Sequence, residues 1–295
     1  MLGTVEHVLA VDIGGTKMAA GVVDADGLVV VREQVPTTGE GADGLFATLA
    51  ALVAEVRDRA PGPLAGCGVG CGGPMTSGGE TVSPLNIGAW RGFPLRSRLA
   101  DHVGLPTWVD NDAKALALGE GWKGAAAGHA NYLAMVVSTG VGGGIVLDGR
   151  LLDGAGGNAG HIGHVNVIPD GRLCVCGSHG CLEAEASGTA IAAITGHPAR
   201  EASSEVRQRT GTLVGRAVGS AASLLDLQLA CVAGSVALGF GDEFFTAAQA
   251  EIDRTACISH ARGTVIRPGG LGAQGPLVGA AAVGWRGLGH DVGVR

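Results

Sequence analysis

The stretch Asp12-Ile13-Gly14-Gly15-Thr16-Lys17 follows the apolar run Val8–Val11 and decides how the chain is interpreted. An apolar strand that ends on Asp and turns through two glycines lets backbone N–H groups approach an anionic ligand closely. Thr16 and Lys17 add a hydroxyl and a cation, and Asp12 is the hard oxygen ligand that Mg²⁺ prefers. The motif predicts a phosphate-binding turn, although on its own it is equally typical of a plain β-hairpin.

A second glycine-rich turn decides between these two interpretations. Ser138-Thr139-Gly140-Val141-Gly142-Gly143-Gly144 follows the apolar run 133–137, and an Asp-Gly turn comes after it, as one does after the first motif. This internal repeat predicts an α/β protein with two lobes of related build, each directing one turn toward a cleft. Phosphoryl transfer requires oriented donors and a metal around the β- and γ-phosphates, so paired turns favour that chemistry.

Composition narrows the classes of protein further. Of 295 residues, 46% are hydrophobic and 16% charged, which suits two compact lobes and excludes disorder. The net charge is −7 and no Lys/Arg-rich stripe occurs, so we expect no nucleic-acid partner. No apolar run approaches the roughly 18 residues that span a bilayer, so we expect no membrane association. The start of the chain lacks a signal-peptide pattern, which predicts a cytoplasmic protein.

One further glycine motif points to a different fold and is rejected. Residues 68–73 read Gly-Val-Gly-Cys-Gly-Gly, which satisfies the G-x-G-x-x-G pattern of dinucleotide-binding folds. That fold needs a helix directly afterwards, and Pro74 with the Ser-Gly-Gly run 77–79 prevents a clean helix start. The P-loop pattern is absent from the sequence as well.

His164, Cys174, Cys176 and Cys181 have the composition of a zinc site. Three cysteines and one histidine form a common closed tetrahedral set, which leaves no position for a substrate and predicts a structural Zn²⁺. The chain has seven cysteines, and an odd number without an export signal argues against a disulfide framework. A disulfide with one spare thiol is the alternative.

These motifs, in this order, resemble those of the ROK family, which groups repressors, uncharacterised reading frames and sugar kinases. The resemblance continues through Ser83-Pro84-Leu85-Asn86, Asn111-Asp112-Ala113, Gly160-His161-Ile162-Gly163-His164, the stretch 174–183 and Ala186-Ser187-Gly188. It implies a two-lobed actin/Hsp70-like (ribonuclease-H-like) sugar kinase fold with an ATP cleft between the lobes. We expect an N-terminal lobe over 1–113, a C-terminal lobe over 114–274, and a helix over 275–295 that returns to the first lobe.

The resemblance also implies an activity, the ATP-dependent phosphorylation of a hexose 6-hydroxyl, and a role for each motif residue. Asp112 becomes the general base, whereas an isolated Asn-Asp pair would indicate a helix N-cap. The residues expected to bind the sugar are Asn86, Asn111, Asp112, His161, His164 and Glu183. The residues expected to bind the ATP phosphates are Asp12, Gly14, Gly15, Thr16, Lys17, Thr139, Gly140, Gly142, Gly143 and Gly234, with Mg²⁺ at Asp12.

The identity of the sugar depends on one position. Many glucokinases of the family carry Glu where this sequence has His161, and a His there is similar to bacterial N-acetylmannosamine kinases. An anionic acceptor is thereby replaced by a group that can be neutral near pH 7, which favours an N-acylated hexosamine. Glucose and a sugar-like cyclitol also fit the remaining residues. A homodimer is expected because such kinases commonly form one.

Two features depart from the family, and one alternative class stays open. The segment 189–224 is shorter than expected, and Ala233 stands where a Gly-Gly pair is usual near the adenosine. The alternative is a non-catalytic sugar-sensing regulator. Such regulators carry a helix-turn-helix before the first phosphate motif, for which residues 1–7 leave no room.

Overall fold

The computed structural model describes residues 6–295, which divide into two compact units. Unit 1 comprises residues 6–123, 153–159 and 273–295, and unit 2 comprises residues 124–152 and 160–272. Each unit has its own five-stranded sheet and its own apolar core. In the described part of the chain, every helix is too short or too polar to cross a membrane.

The described residues form ten strands and nine α-helices, in addition to four 3-10 helices of three residues each. The strands are β1 (His7–Ile13), β2 (Lys17–Asp24), β3 (Val29–Pro36), β4 (Leu64–Cys71), β5 (Thr107–Asn111), β6 (Tyr132–Val137), β7 (Val141–Leu147), β8 (Arg150–Leu151), β9 (Leu229–Ala233) and β10 (Val265–Pro268). The helices are α1 (Gly41–Asp58), α2 (Leu95–Val103), α3 (Asp112–Lys123), α4 (Leu182–Ala186), α5 (Gly188–Thr195), α6 (Ser204–Leu225), α7 (Ser235–Phe240), α8 (Asp242–Thr255) and α9 (Gly275–Gly287).

The two sheets have the same topology, which confirms the α/β fold and the internal repeat. In unit 1 the order is β3-β2-β1-β4-β5, with antiparallel pairing in the β1–β3 meander and parallel pairing of β4 and β5. In unit 2 the order is β8-β7-β6-β9-β10, again with an antiparallel meander and two parallel strands. Each predicted phosphate turn therefore joins the first two strands of its meander.

Strand register in unit 1 brings the ends of β1, β4 and β5 to one level. Asp12 of β1 lies opposite Gly70 of β4, and Gly70 lies opposite Asp110 of β5. Because the three strands are parallel, their carboxyl ends meet at the same edge of the sheet. Asp112, the first residue of α3, follows β5 directly at this edge.

The core of unit 2 depends on one helix pair, α6 and α8. Three glycines at a spacing of four, Gly211, Gly215 and Gly219, lie along the face of α6 that contacts α8. An added Cβ at Gly211 or Gly215 would lie 2.3 Å from a carbonyl oxygen of α8. The two backbones therefore approach closely, and apolar side chains such as Phe244 and Ile252 fill the space around them.

Candidate functional site

The first phosphate turn is a tight turn supported by neighbouring segments of unit 1. The N–H of Gly14 donates to the Lys17 carbonyl at 3.0 Å, and the Thr37 hydroxyl donates to the Gly14 carbonyl at 2.7 Å. Gly15 lies against Asn86, and a Cβ added at Gly15 would be 2.7 Å from the Asn86 Cβ. A residue larger than glycine would displace Asn86, so the structure brings a predicted phosphate residue and a predicted sugar residue together.

Two predicted carboxylates, Asp12 and Asp112, flank Gly70. A Cβ built at Gly70 would lie 3.4 Å from the Asp112 Cα and 3.7 Å from the Asp12 Oδ1. Burial, and then the charge of Asp112, raises the pKa of Asp12 to about 7, against the opposing effect of Lys17. A bound divalent cation would favour the ionised form, so this carboxylate suits the role of magnesium ligand.

The N-terminus of α3 is capped by Asn111, not by Asp112. The Asn111 Oδ1 accepts hydrogen bonds from the backbone N–H of Ala113 at 3.0 Å and of Lys114 at 3.3 Å. The interpretation of Asp112 as an N-cap is therefore wrong, because the side chain of the preceding residue accepts from two of the free N–H groups of the first turn, as an N-cap does. Asp112 begins the helix, and its Oδ1 accepts from the Ala113 N–H at 2.9 Å.

The second phosphate turn is shorter than its glycine run. The N–H of Ser138 donates to the Gly140 carbonyl at 2.9 Å, which closes the turn at 138–140. Gly142 and Gly143 lie in β7, opposite Val136 and Met135 of β6. Of the predicted phosphate residues in this motif, Thr139 and Gly140 therefore belong to the turn itself.

Residues of the α4–α5 region hold this turn in place. The Gly188 N–H donates to the Ser138 carbonyl at 2.7 Å, and the Thr189 hydroxyl donates to the Thr139 carbonyl at 3.0 Å. The N–H of Val141, at the start of β7, donates to the Glu183 Oε2 at 2.8 Å. Glu183, predicted as a sugar residue, thus contacts the residue that directly follows the phosphate turn.

Gly234 lies at the end of β9 beside the same turn. Its φ is 101°, in the region that favours glycine, and an added Cβ would lie 2.3 Å from the Val137 carbonyl oxygen. The next residue, Ser235, places its Oγ 3.0 Å from the Ser138 Oγ. The structure therefore brings Gly234 and Ser235 against Val137 and Ser138, the two residues that lead into Thr139 and Gly140.

The four predicted zinc ligands form one cluster in unit 2, with all ligand atoms within 4.8 Å of one another. The His164 Nδ1 lies 3.6 Å from the Cys174 Sγ, and the Cys176 Sγ lies 3.7 Å from the Cys181 Sγ. A tetrahedral zinc with bonds of about 2.3 Å to sulfur and about 2.0 Å to nitrogen separates its ligands by roughly 3.5–3.8 Å. The cluster therefore fits a four-coordinate metal, with Nδ1 as the histidine ligand.

The loop around this cluster also has supports that do not involve a metal. Glu185 is buried, accepts the Arg172 N–H at 2.7 Å, and pairs with Arg209 of α6 at 2.7 Å. The Arg216 Nη1 donates to the Val167 carbonyl at 2.8 Å. Within the same stretch, the rings of His161 and His164 lie 5.9 Å apart between centroids.

Three residues near α3 were not predicted from the sequence: Lys114, Asp153 and Asn158. The Lys114 side chain is almost fully buried, and its Nζ contacts Asp110 and Asp153. Asn158 contacts the backbone of Met75. One available signal was the isolated lysine in the apolar run 113–118, because a charged residue at a buried position of a helix requires a partner.

Comparisons with known proteins point to one family. The sequence model of the ROK family matches residues 8–285. A glucokinase of Halalkalibacterium halodurans is 42% identical over 192 residues, a match that covers 63% of this chain and 58% of the glucokinase, less than two thirds of its length. An N-acetylmannosamine kinase of Yersinia pseudotuberculosis is 36% identical over 249 residues, covering 79% of this chain and 84% of that kinase.

A solved structure extends the similarity to almost the whole chain. The ROK family glucokinase of Streptomyces griseus, crystallised with glucose and AMPPNP, superimposes with a TM-score of 0.84 at 31% identity, covering 95% of this chain and 99% of that one. The shared two-sheet architecture and the match of the family model over nearly all described residues lead to one conclusion. The chain belongs to the ROK family.

Proposed function

We propose that this protein is an ATP-dependent sugar kinase that transfers the γ-phosphoryl group of ATP to the 6-hydroxyl of a hexose or an N-acylhexosamine. The observation that carries the proposal is the placement of Asp12 and Asp112 on either side of Gly70, at the carboxyl ends of parallel strands. One carboxylate there serves a metal–phosphate complex and the other an attacking hydroxyl.

The chemistry divides between these two carboxylates. The substrate hydroxyl oxygen attacks the γ-phosphorus, the bond from that phosphorus to the β,γ-bridging oxygen breaks, and ADP leaves with the electron pair. Asp112 accepts the hydroxyl proton as the new P–O bond forms. The backbone N–H groups of Gly15 and Thr16 and the Lys17 ammonium stabilise the charge that develops on the phosphoryl oxygens.

Two metals complete the proposal. Asp12 would hold Mg²⁺, directly or through water, and that ion supplies charge neutralisation at the β- and γ-phosphates. His164, Cys174, Cys176 and Cys181 would hold a structural zinc. Burial raises the pKa of the Cys181 thiol to about 12, so metal binding at this cluster releases protons and depends on pH.

The sugar is bound in this proposal by amide, imidazole and carboxylate side chains, which are planar groups that donate or accept hydrogen bonds. Asn111 uses its Oδ1 for the helix cap, so the Nδ2 amide remains for a sugar hydroxyl. His164 uses Nδ1 toward the thiol cluster, so Nε2 is the nitrogen proposed for the sugar. Asn86, His161 and Glu183 complete the proposed set.

The substrate favoured by the sequence is N-acetylmannosamine, with glucose as the alternative. His161 stands where many glucokinases of the family have a glutamate. An imidazole can donate a hydrogen bond to the carbonyl oxygen of an N-acyl group, whereas an ionised carboxylate can only accept one. The chain has relatives of both kinds. The N-acetylmannosamine kinase match covers more of this chain, and the glucokinase match has the higher identity.

A coupled ADP-release assay with Mg-ATP tests the proposal across a panel of hexoses, N-acetylhexosamines and cyclitols. For the best substrate, Asp112→Asn is expected to reduce kcat by about 10²–10⁴-fold, the usual contribution of a general base. Sugar binding, measured by calorimetry, should persist because the amide keeps the shape of the carboxylate. A 6-deoxy analogue of that substrate should give no turnover.

The matched control is Asp101→Asn, the same change at an exposed position of α2, which should leave kcat unchanged. Normal turnover by Asp112→Asn would overturn the assignment of the base. Sugar binding without turnover in the wild-type protein would instead favour a non-catalytic sugar sensor.

A further inference from the structure

Lys114 is a buried lysine that the proposed chemistry does not use. Its side chain is 3% exposed, and its Nζ lies 2.9 Å from the Asp110 Oδ1 and 2.6 Å from the Asp153 Oδ1. The Gly157 carbonyl oxygen is the third neighbour, at 3.3 Å. An ammonium has three donors, so these three acceptors satisfy the group completely.

The Lys114 ammonium and the carboxylates of Asp110 and Asp153 carry opposite charges and attract each other. The side chain of Asp110 is 16% exposed, and burial raises its pKa while the neighbouring Lys114 opposes that shift. Asp110 and Lys114 are four residues apart and form a local pair at the start of α3. Asp153 is different because it is 56% exposed and reaches Lys114 from a segment 39 positions further along the chain.

That segment, Asp153–Ala159, belongs to unit 1 although both of its sequence neighbours belong to unit 2. Its far end is held by Asn158, whose Oδ1 accepts from the Met75 N–H at 3.1 Å and whose Nδ2 donates to the Met75 carbonyl at 3.0 Å. Gly154 and Gly157 have φ of 72° and 81°. The segment closes on itself through the Ala159 N–H, which donates to the Asp153 carbonyl at 3.0 Å. A glycine-rich backbone has little further stiffness of its own, so the two tethers fix the segment to the rest of unit 1.

We propose that Lys114 is a positioning residue for the sugar site, which holds the segment Asp153–Ala159 against the beginning of α3. Lys114 is part of α3, and its ammonium contacts the segment at Asp153 and Gly157. The same ammonium pairs with Asp110 at the end of β5, two residues before Asp112. The segment leads into His161, to which a sugar contact is assigned. This inference rests on the proposed function, because the tether orders the backbone just before His161, and the sugar contact of His161 is part of that function.

The tether acts on binding more than on chemistry. A segment that is ordered before the sugar arrives loses less conformational entropy on binding, so the gain appears in the affinity for the sugar. The turn that would bind the ATP phosphates is not part of this network. Loss of the tether should therefore raise KM for the sugar and leave KM for ATP nearly unchanged.

Asp153→Asn is the variant that isolates the tether. It removes one charged contact at an exposed side chain and leaves the buried Lys114–Asp110 pair intact, so folding should be preserved. We expect KM for the sugar to rise by about fivefold to twentyfold, as for a lost charge-assisted hydrogen bond. KM for ATP should change by less than about twofold, and amide hydrogen exchange should accelerate in residues 153–159.

Two further variants serve as comparisons. Lys114→Arg keeps the charge and the donors and should retain most of the wild-type affinity for the sugar. Lys114→Met leaves Asp110 buried without its partner and is expected to lower the melting temperature of the protein. Asp101→Asn, at an exposed position of α2, controls for the loss of one acidic charge from unit 1.

The outcomes separate this inference from the proposed function. If the wild-type protein phosphorylates a sugar while Asp153→Asn leaves both its KM for that sugar and the exchange of residues 153–159 unchanged, the positioning role of Lys114 is wrong. An equal rise of both KM values would also overturn it, because it would indicate a general structural effect. Absence of sugar phosphorylation in the wild type would instead overturn the proposed function.

Discussion

Glu183 joins two parts of the proposed machinery at the scale of a single residue. It lies two residues after the cluster ligand Cys181, and its Oε2 accepts the Val141 N–H at the end of the second phosphate turn. A metal bound by Cys181 would therefore hold the backbone from Cys181 to Glu183 in place, and Glu183 would in turn hold the second phosphate turn through Val141. The other carboxylate oxygen of Glu183 is the one that the proposed sugar contact would use.

Glu183→Ala and Glu183→Gln separate these two tasks. A glutamine retains a carbonyl oxygen for the Val141 N–H, whereas an alanine leaves that buried donor unsatisfied. We expect Glu183→Ala to raise KM for ATP by about fivefold or more, and Glu183→Gln to change it by less than about twofold. Steady-state kinetics with ATP varied at saturating sugar provides the measurement, and equal effects of the two variants on KM for ATP would contradict the assigned contact.

Single residues also mark what sequence reasoning could and could not predict. The sequence predicts a functional role for the pair Asn111-Asp112, but only the structure shows that Asn111 provides the helix cap. Lys114 was missed because a lysine in the first turns of a helix is usually solvated. Its partner Asp153 is distant in sequence, and no local pattern indicates such a pairing.

At the scale of elements, the glycine stripe of α6 explains how unit 2 packs its longest helix. Gly211, Gly215 and Gly219 recur every four residues and so line one face of the helix. At Gly215 an added Cβ would lie 2.3 Å from the Ala248 carbonyl oxygen of α8, which is backbone and cannot rotate away. The approach of α6 and α8 therefore depends on the absence of side chains at these positions.

Gly215→Ala tests this packing. Although alanine favours a helix over glycine by about 1 kcal/mol, the clash should dominate and destabilise the protein by about 1–3 kcal/mol. Gly239→Ala is the matched control, because a Cβ at that position in α7 meets open space. Urea unfolding followed by far-UV circular dichroism compares the two, and unaltered stability of Gly215→Ala would refute the close approach.

The elements that were not predicted share a physical cause. Helix α6 begins at Ser204 with a Ser203 cap, and this start is not visible in the sequence because the first turns are polar and exposed and carry no apolar period. Strand β3 continues beyond its apolar start, residues 29–31, to Pro36, since pairing with β2 holds polar residues in an edge strand. Helix α8 was missed although Phe244, Ala248 and Ile252 have helical spacing, because a buried acidic residue, Glu251, interrupts its apolar face.

At the scale of the molecule, the repeated topology was predictable because it depends on local signals. Two meanders with equivalent glycine turns are visible in the sequence, and each became the first three strands of a sheet. The membership of residues 153–159 in unit 1 was not predictable. It depends on Lys114 and Met75, which supply partners from distant segments.

Global stability should depend on pH through one buried carboxylate in unit 2. Glu251 of α8 is 7% exposed, and its Oε1 lies 3.0 Å from the Arg216 Nε of α6 and 2.7 Å from the Arg254 Nη2. The hydrogen bond from Arg254, opposed in part by burial and assisted by Arg216, holds the pKa of Glu251 below its usual range. The ionised carboxylate therefore stabilises the folded state above about pH 4.5, and this contribution is lost as pH falls through the lowered folded-state pKa.

Glu251→Gln should accordingly destabilise the protein by about 1–2 kcal/mol at pH 7, since the two arginines are partly exposed and lose one shared partner. The difference from the wild type should shrink steadily below about pH 4.5. The four tryptophans, Trp90, Trp108, Trp122 and Trp285, all belong to unit 1, so their fluorescence does not report on unit 2 directly. Far-UV circular dichroism detects α6 and α8 and is the appropriate signal. Glu55→Gln, at a side chain that is 60% exposed, is the control, and a destabilisation by Glu251→Gln that stays constant from pH 7 to pH 4 would show that the carboxylate charge is not its source.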